Sequence, residues 1–259
     1  MNRKIALPLL ALLFASLACQ ALFPEPAPPR DGTVISNCAD VTTAIRAMQT
    51  AEIPQGLFET GIKQGDEFDV NEYFTVLPNL SMTDGYTLDY VFYGDSLGGF
   101  PVLAARPDDL PAYETREDIP NEDLEKYWKY LDVQDTEQGY FDFVAFTSTA
   151  AQFYLFWHAN YYDSEIVCDP NAVDAIVTER QTGNFGMEFD NDQMRQIKAM
   201  NNIEPLVRLT DTTAIIEIVT FTKWGGFFRK TYTISRAFPH EIIDSQEENL
   251  VPYDCGIMF

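Results

Sequence analysis

Ser96 heads the short set of residues in this chain whose type and spacing could do chemistry. It stands in Gly94-Asp95-Ser96-Leu97, followed by Gly98-Gly99. A serine hydroxyl is a weak nucleophile until a neighbouring base takes its proton. Only two histidines, His158 and His240, exist to do so. The same residues also have a plain conformational use, because Gly and Asp populate tight hairpin turns.

A second group is the aromatic run Gln152–Tyr162. Read as a strand, it places Tyr154, Phe156, His158, Asn160 and Tyr162 on one face and Phe153, Leu155, Trp157 and Tyr161 on the other. The second face reads as core. Rings with polar tips on the first suit a sugar or a small aromatic ligand, offering apolar area with orienting hydrogen bonds. A strand covered on both sides, with Tyr154, His158, Asn160 and Tyr162 satisfied internally, is the competing reading. Trp224, in the turn Lys223-Trp224-Gly225-Gly226, is either an exposed contact residue or a ring folded back over its own strands. Lys223, Arg229, Lys230 and Arg236 gather on that hairpin, where cross-strand carboxylates such as Glu217 are their natural partners.

Gly94-Asp95-Ser96-Leu97 resembles the signature of the GDSL-type esterases and lipases, which implies Ser96 as the nucleophile on an ester carbonyl. That family supplies the base from an Asp and a His three residues apart. Here Ala237 precedes His240 and Leu155 precedes His158 at that offset, so the set is incomplete.

Metal chemistry finds little. Asp66-Glu67-Phe68-Asp69 and Asp190-Asn191-Asp192 offer hard oxygens, but neither runs into a calcium loop with Gly at its sixth and Glu at its twelfth position. No metal site and no cofactor is expected. The chain has 17 Lys+Arg against 40 Asp+Glu. Such a balance repels nucleic-acid phosphates, which are bound by neutralisation with Lys and Arg. With 46% apolar residues, a core can form.

The amino-terminal stretch says where such a domain would work. Asn2-Arg3-Lys4 is a basic head, and Ile5–Ala18 is an uncharged apolar run of 14 residues ending in Ser16-Leu17-Ala18. That is the layout of a secretory signal. Ser16-Leu17-Ala18-Cys19 resembles the lipobox of bacterial lipoproteins. The resemblance implies cleavage before Cys19, a lipid on its thiol, and a domain moored to the membrane on its extracytoplasmic side. Ordinary cleavage at the same bond and an uncleaved anchor are the other readings. Pro24, Pro26, Pro28 and Pro29 make the next stretch an extended spacer, rising about 3 Å per residue. The expected organisation is signal 1–18, lipid cysteine and tether 19–35, and one domain 36–259. In an oxidising compartment Cys38, Cys168 and Cys255 allow one disulfide, with three possible pairings.

The elements that must position these residues read as α+β: an antiparallel sheet of hairpins with four to five short helices. Apolar spacing predicts helices at Val41–Met48 behind Asp40, at Val70–Leu77 behind Asp69, and at Asn121–Leu131. Two more are expected, one behind the cap Asp169 with Pro170 at its first position and a shorter one around Asn191–Met200. Strands are expected at Tyr86–Tyr93, Phe100–Ala105, Tyr140–Phe146, Gln152–Tyr161, Thr213–Thr222 and Phe227–Arg236. With no complete catalytic set, the leading expectation is a non-catalytic domain that binds a small molecule, glycan or protein. An esterase using Ser96 and a purely structural envelope component are the alternatives.

Overall fold

Turn chemistry sets the frame. In the computed structural model, which describes residues 30–95, 97–121, 124, 126–183 and 186–256, both expected hairpins form. Cys19 and Ser96 lie outside the described residues, as do the stretch expected to be a signal and most of the expected tether.

In chain order the elements begin with β1 (Thr33–Val34), α1 (Cys38–Met48), α2 (Gln55–Thr60) and α3 (Tyr73–Val76). The first hairpin and its neighbours follow: β2 (Leu80–Met82), β3 (Tyr86–Asp95), β4 (Gly98–Pro107) and β5 (Leu131–Val133). Next come α4 (Glu137–Thr149), β6 (Phe156–Trp157), β7 (Glu165–Val167), α5 (Pro170–Thr182) and α6 (Asn191–Ala199). The carboxyl-terminal strands are β8 (Leu206–Leu209), β9 (Thr213–Thr222), β10 (Gly226–Ser235) and β11 (Ile242–Pro252).

These six helices and eleven strands make an α+β fold, and every described pairing is antiparallel. The largest sheet runs β1-β8-β9-β10-β11, with β7 sharing an edge of β9. A three-stranded sheet runs β3-β4-β6, and β2 pairs with β5. The folded unit starts at Gly32, because Thr33 and Val34 already pair with Val207 and Leu206.

β9 is covered on both faces, so it reads as a nearly continuous apolar run. Ala214, Ile216 and Ile218 join a core with Phe143, Val144 and Phe146 of α4. Val219 and Phe221 turn the other way, onto Phe227, Val251 and the α5 residues Val173, Ile176 and Val177. The helix signal at Asp169 holds, its carboxylate accepting from Ala172 N, and the expected helix after it is capped by Asp190, which accepts from Asp192 N and Gln193 N.

Three expectations are corrected. Tyr140–Phe146 is not a strand but the middle of α4, buried from Gly139 to Phe146. A helix apolar all round belongs inside, and a short aromatic run cannot be told from a buried strand by period alone. Thr136 caps it, accepting from Gly139 N at 3.1 Å. The described part of Asn121–Leu131 holds no α-helix: its end forms a 3-10 turn, Tyr127–Tyr130, and Leu131 opens β5. Leu131 and Val133 are buried there while Asp132 is exposed, a strand alternation that overrides the helical spacing. Asp69 starts only a 3-10 turn and the four-residue α3, capping through Asn71 N at 2.9 Å rather than through a reciprocal box with Glu72.

Of the three possible disulfides, Cys38–Cys168 is the one formed; it joins the start of α1 to the residue after β7. Cys255 is a buried free thiol. Among the described residues no helix is long and apolar enough to cross a membrane.

Candidate ligand-binding cavity

The segment that matters most for function does not fold as the strand its alternation predicts. Only Phe156 and Trp157 pair, with Gly99 and Gly98, and His158–Tyr161 curls into a 3-10 turn. Tyr154 and Trp157 have positive φ, 52° and 48°, which breaks the two-residue period. Gly98 permits the close approach: a Cβ there would meet Phe156 O at 2.7 Å and Ala159 N at 3.1 Å.

The break redistributes the candidate residues. Tyr154 is 2% exposed, in the core, and its hydroxyl accepts from Phe68 N at 2.9 Å. The His158 ring stacks between Trp157 and Tyr161, at centroid distances of 5.5 and 6.1 Å. The Asn160 side chain lies outside the described part. Trp224 folds back, 4.4 Å from the Tyr161 ring and packed on the core under β9 and β10. Tyr162 lines a cavity.

That cavity, about 520 Å³, opens between the small sheet and the large one. Its walls are Phe100–Leu103 of β4, Tyr127 and Trp128 of the 3-10 turn, and Tyr161 and Tyr162. The large sheet supplies Thr220 from β9, Lys230 and Tyr232 from β10, and Ile242 from β11. The end of α4 contributes Thr147 and Ser148, and beyond it Ala151, Gln152 and Ser164 complete the lining. This volume falls within the range of small-molecule sites, which are mostly apolar with a few placed polar groups.

Register explains why these residues meet. Thr220 pairs with Phe228, Ile218 with Lys230 and Ile216 with Tyr232, so all six share one face of the sheet. On that face Ile216 and Ile218 join the core with α4, while Thr220, Lys230 and Tyr232 line the cavity.

Several polar groups are already engaged. Gln152 Nε2 donates to Ser164 O at 2.7 Å, and Thr147 Oγ1 to Phe143 O at 2.8 Å. Lys230 Nζ lies 3.0 Å from Glu247 Oε2. Thr220 is the exception. It is 2% exposed, and its hydroxyl has no hydrogen-bond partner among the described residues. Buried hydroxyls are nearly always partnered, so an unpartnered one on a residue that lines the cavity stands out.

The other candidate chemistry is absorbed by the fold. Asp95 Oδ1 accepts from Leu97 N at 2.7 Å and Gly98 N at 3.2 Å, closing the turn that carries the esterase-like tetrapeptide. His240 is buried against Tyr140, with Nδ1 3.1 Å from Ser235 O. The acid clusters cap and brace backbone: Glu67 accepts from Gln64 N and Gly65 N, which holds its carboxyl below the usual range although burial works the other way. Among the described residues no group of three or more His, Cys, Asp or Glu could hold a metal ion. Of the basic hairpin, Arg229 meets Glu217 at 3.6 Å, as cross-strand pairing predicts, and Arg236 meets Asp135 at 2.6 Å.

Sequence reasoning missed Thr220, Tyr127, Trp128 and Tyr232 as wall residues and put Tyr161 on a core face. The one available signal was Thr220 itself, a hydroxyl between the apolar Ile218-Val219 and Phe221.

Fold and cavity together define an α+β, antiparallel-sheet chain with an aromatic-walled cavity. Comparison with protein-family models, with curated proteins and with solved structures finds no match to this chain.

Proposed function

We propose that this chain is a lipid-anchored extracytoplasmic binding protein, without chemistry of its own, whose ligand occupies the cavity between the two larger sheets. The unpartnered Thr220 hydroxyl, set among Trp128, Tyr161, Tyr162 and Tyr232, is the observation that carries the binding role. The mooring rests on the basic head, the apolar run and Cys19, followed by the proline-bearing spacer. Thermal-shift screening of a broad small-molecule panel tests the binding role, since a ligand of the folded state stabilises by RT ln(1 + [L]/Kd). A binder should raise the midpoint of the parent chain and not that of Trp128→Ala; a flat panel counts against the reading. Labelled fatty acid should enter the parent chain and not Cys19→Ser.

One observation favours a second reading. The backbone N–H of His158 donates to Leu97 O at 3.1 Å, which sets His158 beside the residue that follows Ser96. An esterase would show hydrolysis of p-nitrophenyl esters that disappears in both Ser96→Ala and His158→Ala. The binding role predicts no such dependence.

A further inference from the structure

We infer that the ligand of the cavity is an uncharged sugar ring. This rests on the binding role proposed above and names the chemistry the cavity would recognise. The chain carries 40 Asp+Glu, yet among the described residues that line the cavity none bears a carboxylate. A cationic ligand would therefore be stripped of water with no counter-charge to meet it. Anions fare no better. Lys230 is the one charged liner among the described residues, and its ammonium is already held by Glu247. The net charge of −23 also sets up a field that repels anions.

Neutral ligands remain, and the polar lining separates an oily one from a hydroxylated one. Ser148, Ser164, Thr220, Tyr162 and Tyr232, each bearing a hydroxyl, are among the residues that line the cavity. A hydrocarbon or plain aromatic body would seal several of these against apolar surface, leaving them unsatisfied. A pyranose meets both demands. Its C–H face packs on rings such as Trp128 and Tyr162, and its hydroxyls donate to and accept from neutral oxygens. With neutral partners only, the affinity expected for a single ring is on the order of millimolar.

Saturation-transfer NMR and calorimetric titration of the folded chain provide the test. The probes are glucose, galactose, mannose and N-acetylglucosamine, with cellobiose and maltose for chain ends. Glucuronate and glucosamine are charged twins, and 2-naphthol is an aromatic control. At least one neutral sugar is expected to bind, its charged twin at least fivefold more weakly. Thr220→Val should weaken the neutral sugar at least fivefold while unfolding no earlier than the parent chain. Trp128→Ala gives a second, independent loss. Equal binding of glucuronate or glucosamine overturns the inference, as does glucuronate binding that is tighter than glucose and lost in Lys230→Met. If 2-naphthol binds in a Trp128-dependent way and no sugar does, the ligand class is wrong while the cavity still binds. If no probe binds, both the ligand class and the binding role fall.

Discussion

Thr220→Val should make the ligand-free protein more stable. The hydroxyl is buried on the central strand β9, 2% exposed, with no hydrogen-bond partner among the described residues. Leaving such a group dry costs about 1–3 kcal/mol. Valine keeps the branched shape, replaces the hydroxyl by a methyl, and suits a strand at least as well. Taking the low end, a gain of about 1 kcal/mol raises the unfolding midpoint by roughly 2–4 °C for a domain of this size. Differential scanning calorimetry of both proteins without ligand reads this directly. A midpoint lowered by a similar amount would refute the reasoning, because the hydroxyl would then already be satisfied by a water held in the cavity.

Removing the disulfide acts on a different quantity. Cys38 and Cys168 are 130 residues apart, and closing so long a loop constrains the unfolded chain. Cys38→Ala with Cys168→Ala should lose roughly 2–5 kcal/mol in urea unfolding, and the parent chain with reductant should move the same way. Tyr90→Phe should cost no stability, because its buried hydroxyl also lacks a partner; a loss above about 1 kcal/mol in the same urea assay would show one. Tyr73, Tyr90 and Tyr127 are all pushed above the ordinary tyrosine value by burial. The folded state then holds those protons more tightly, so stability is intact below pH 10 and falls as pH rises past it, as an alkaline melt would show. Asp135 is held below its usual range, first by the Arg236 hydrogen bond. Its contribution is present above pH 3.8 and lost as pH falls further, so Asp135→Asn should give a shallower acid limb in pH-dependent melts.

The hairpins are legible in the sequence because their turns are chemical: Gly98 and Gly225-Gly226 sit where backbone or a ring leaves little room for a Cβ. Helix α5 is legible for the same kind of reason, with Asp169-Pro170 fixing its start, and α6 through the apolar pair Met194 and Ile197. What stays hidden is set by tertiary contact. Nothing local distinguishes Tyr140–Phe146 as helix, since its strand-like residues are stabilised by burial on every side. The aromatic segment misleads because positive φ at Tyr154 and Trp157 cancels its alternation. Consequently Tyr154 reaches the core, Tyr161 and Tyr162 reach the cavity, and His158 stacks between neighbouring rings. The cavity draws its walls from β4, the turn at Tyr127, β9 and β10, stretches separated along the chain, and no single stretch carries its pattern.

The most direct measurement is a side-chain NMR titration of the isotope-labelled protein with the neutral sugars named above. Saturable shifts at the Thr220 methyl and the Tyr162 and Tyr232 rings, with none at the buried Tyr154 ring, are the result expected. Shifts confined to the exposed Phe156 and Trp157 rings, with Thr220 silent at saturation, would contradict a ligand seated between the sheets.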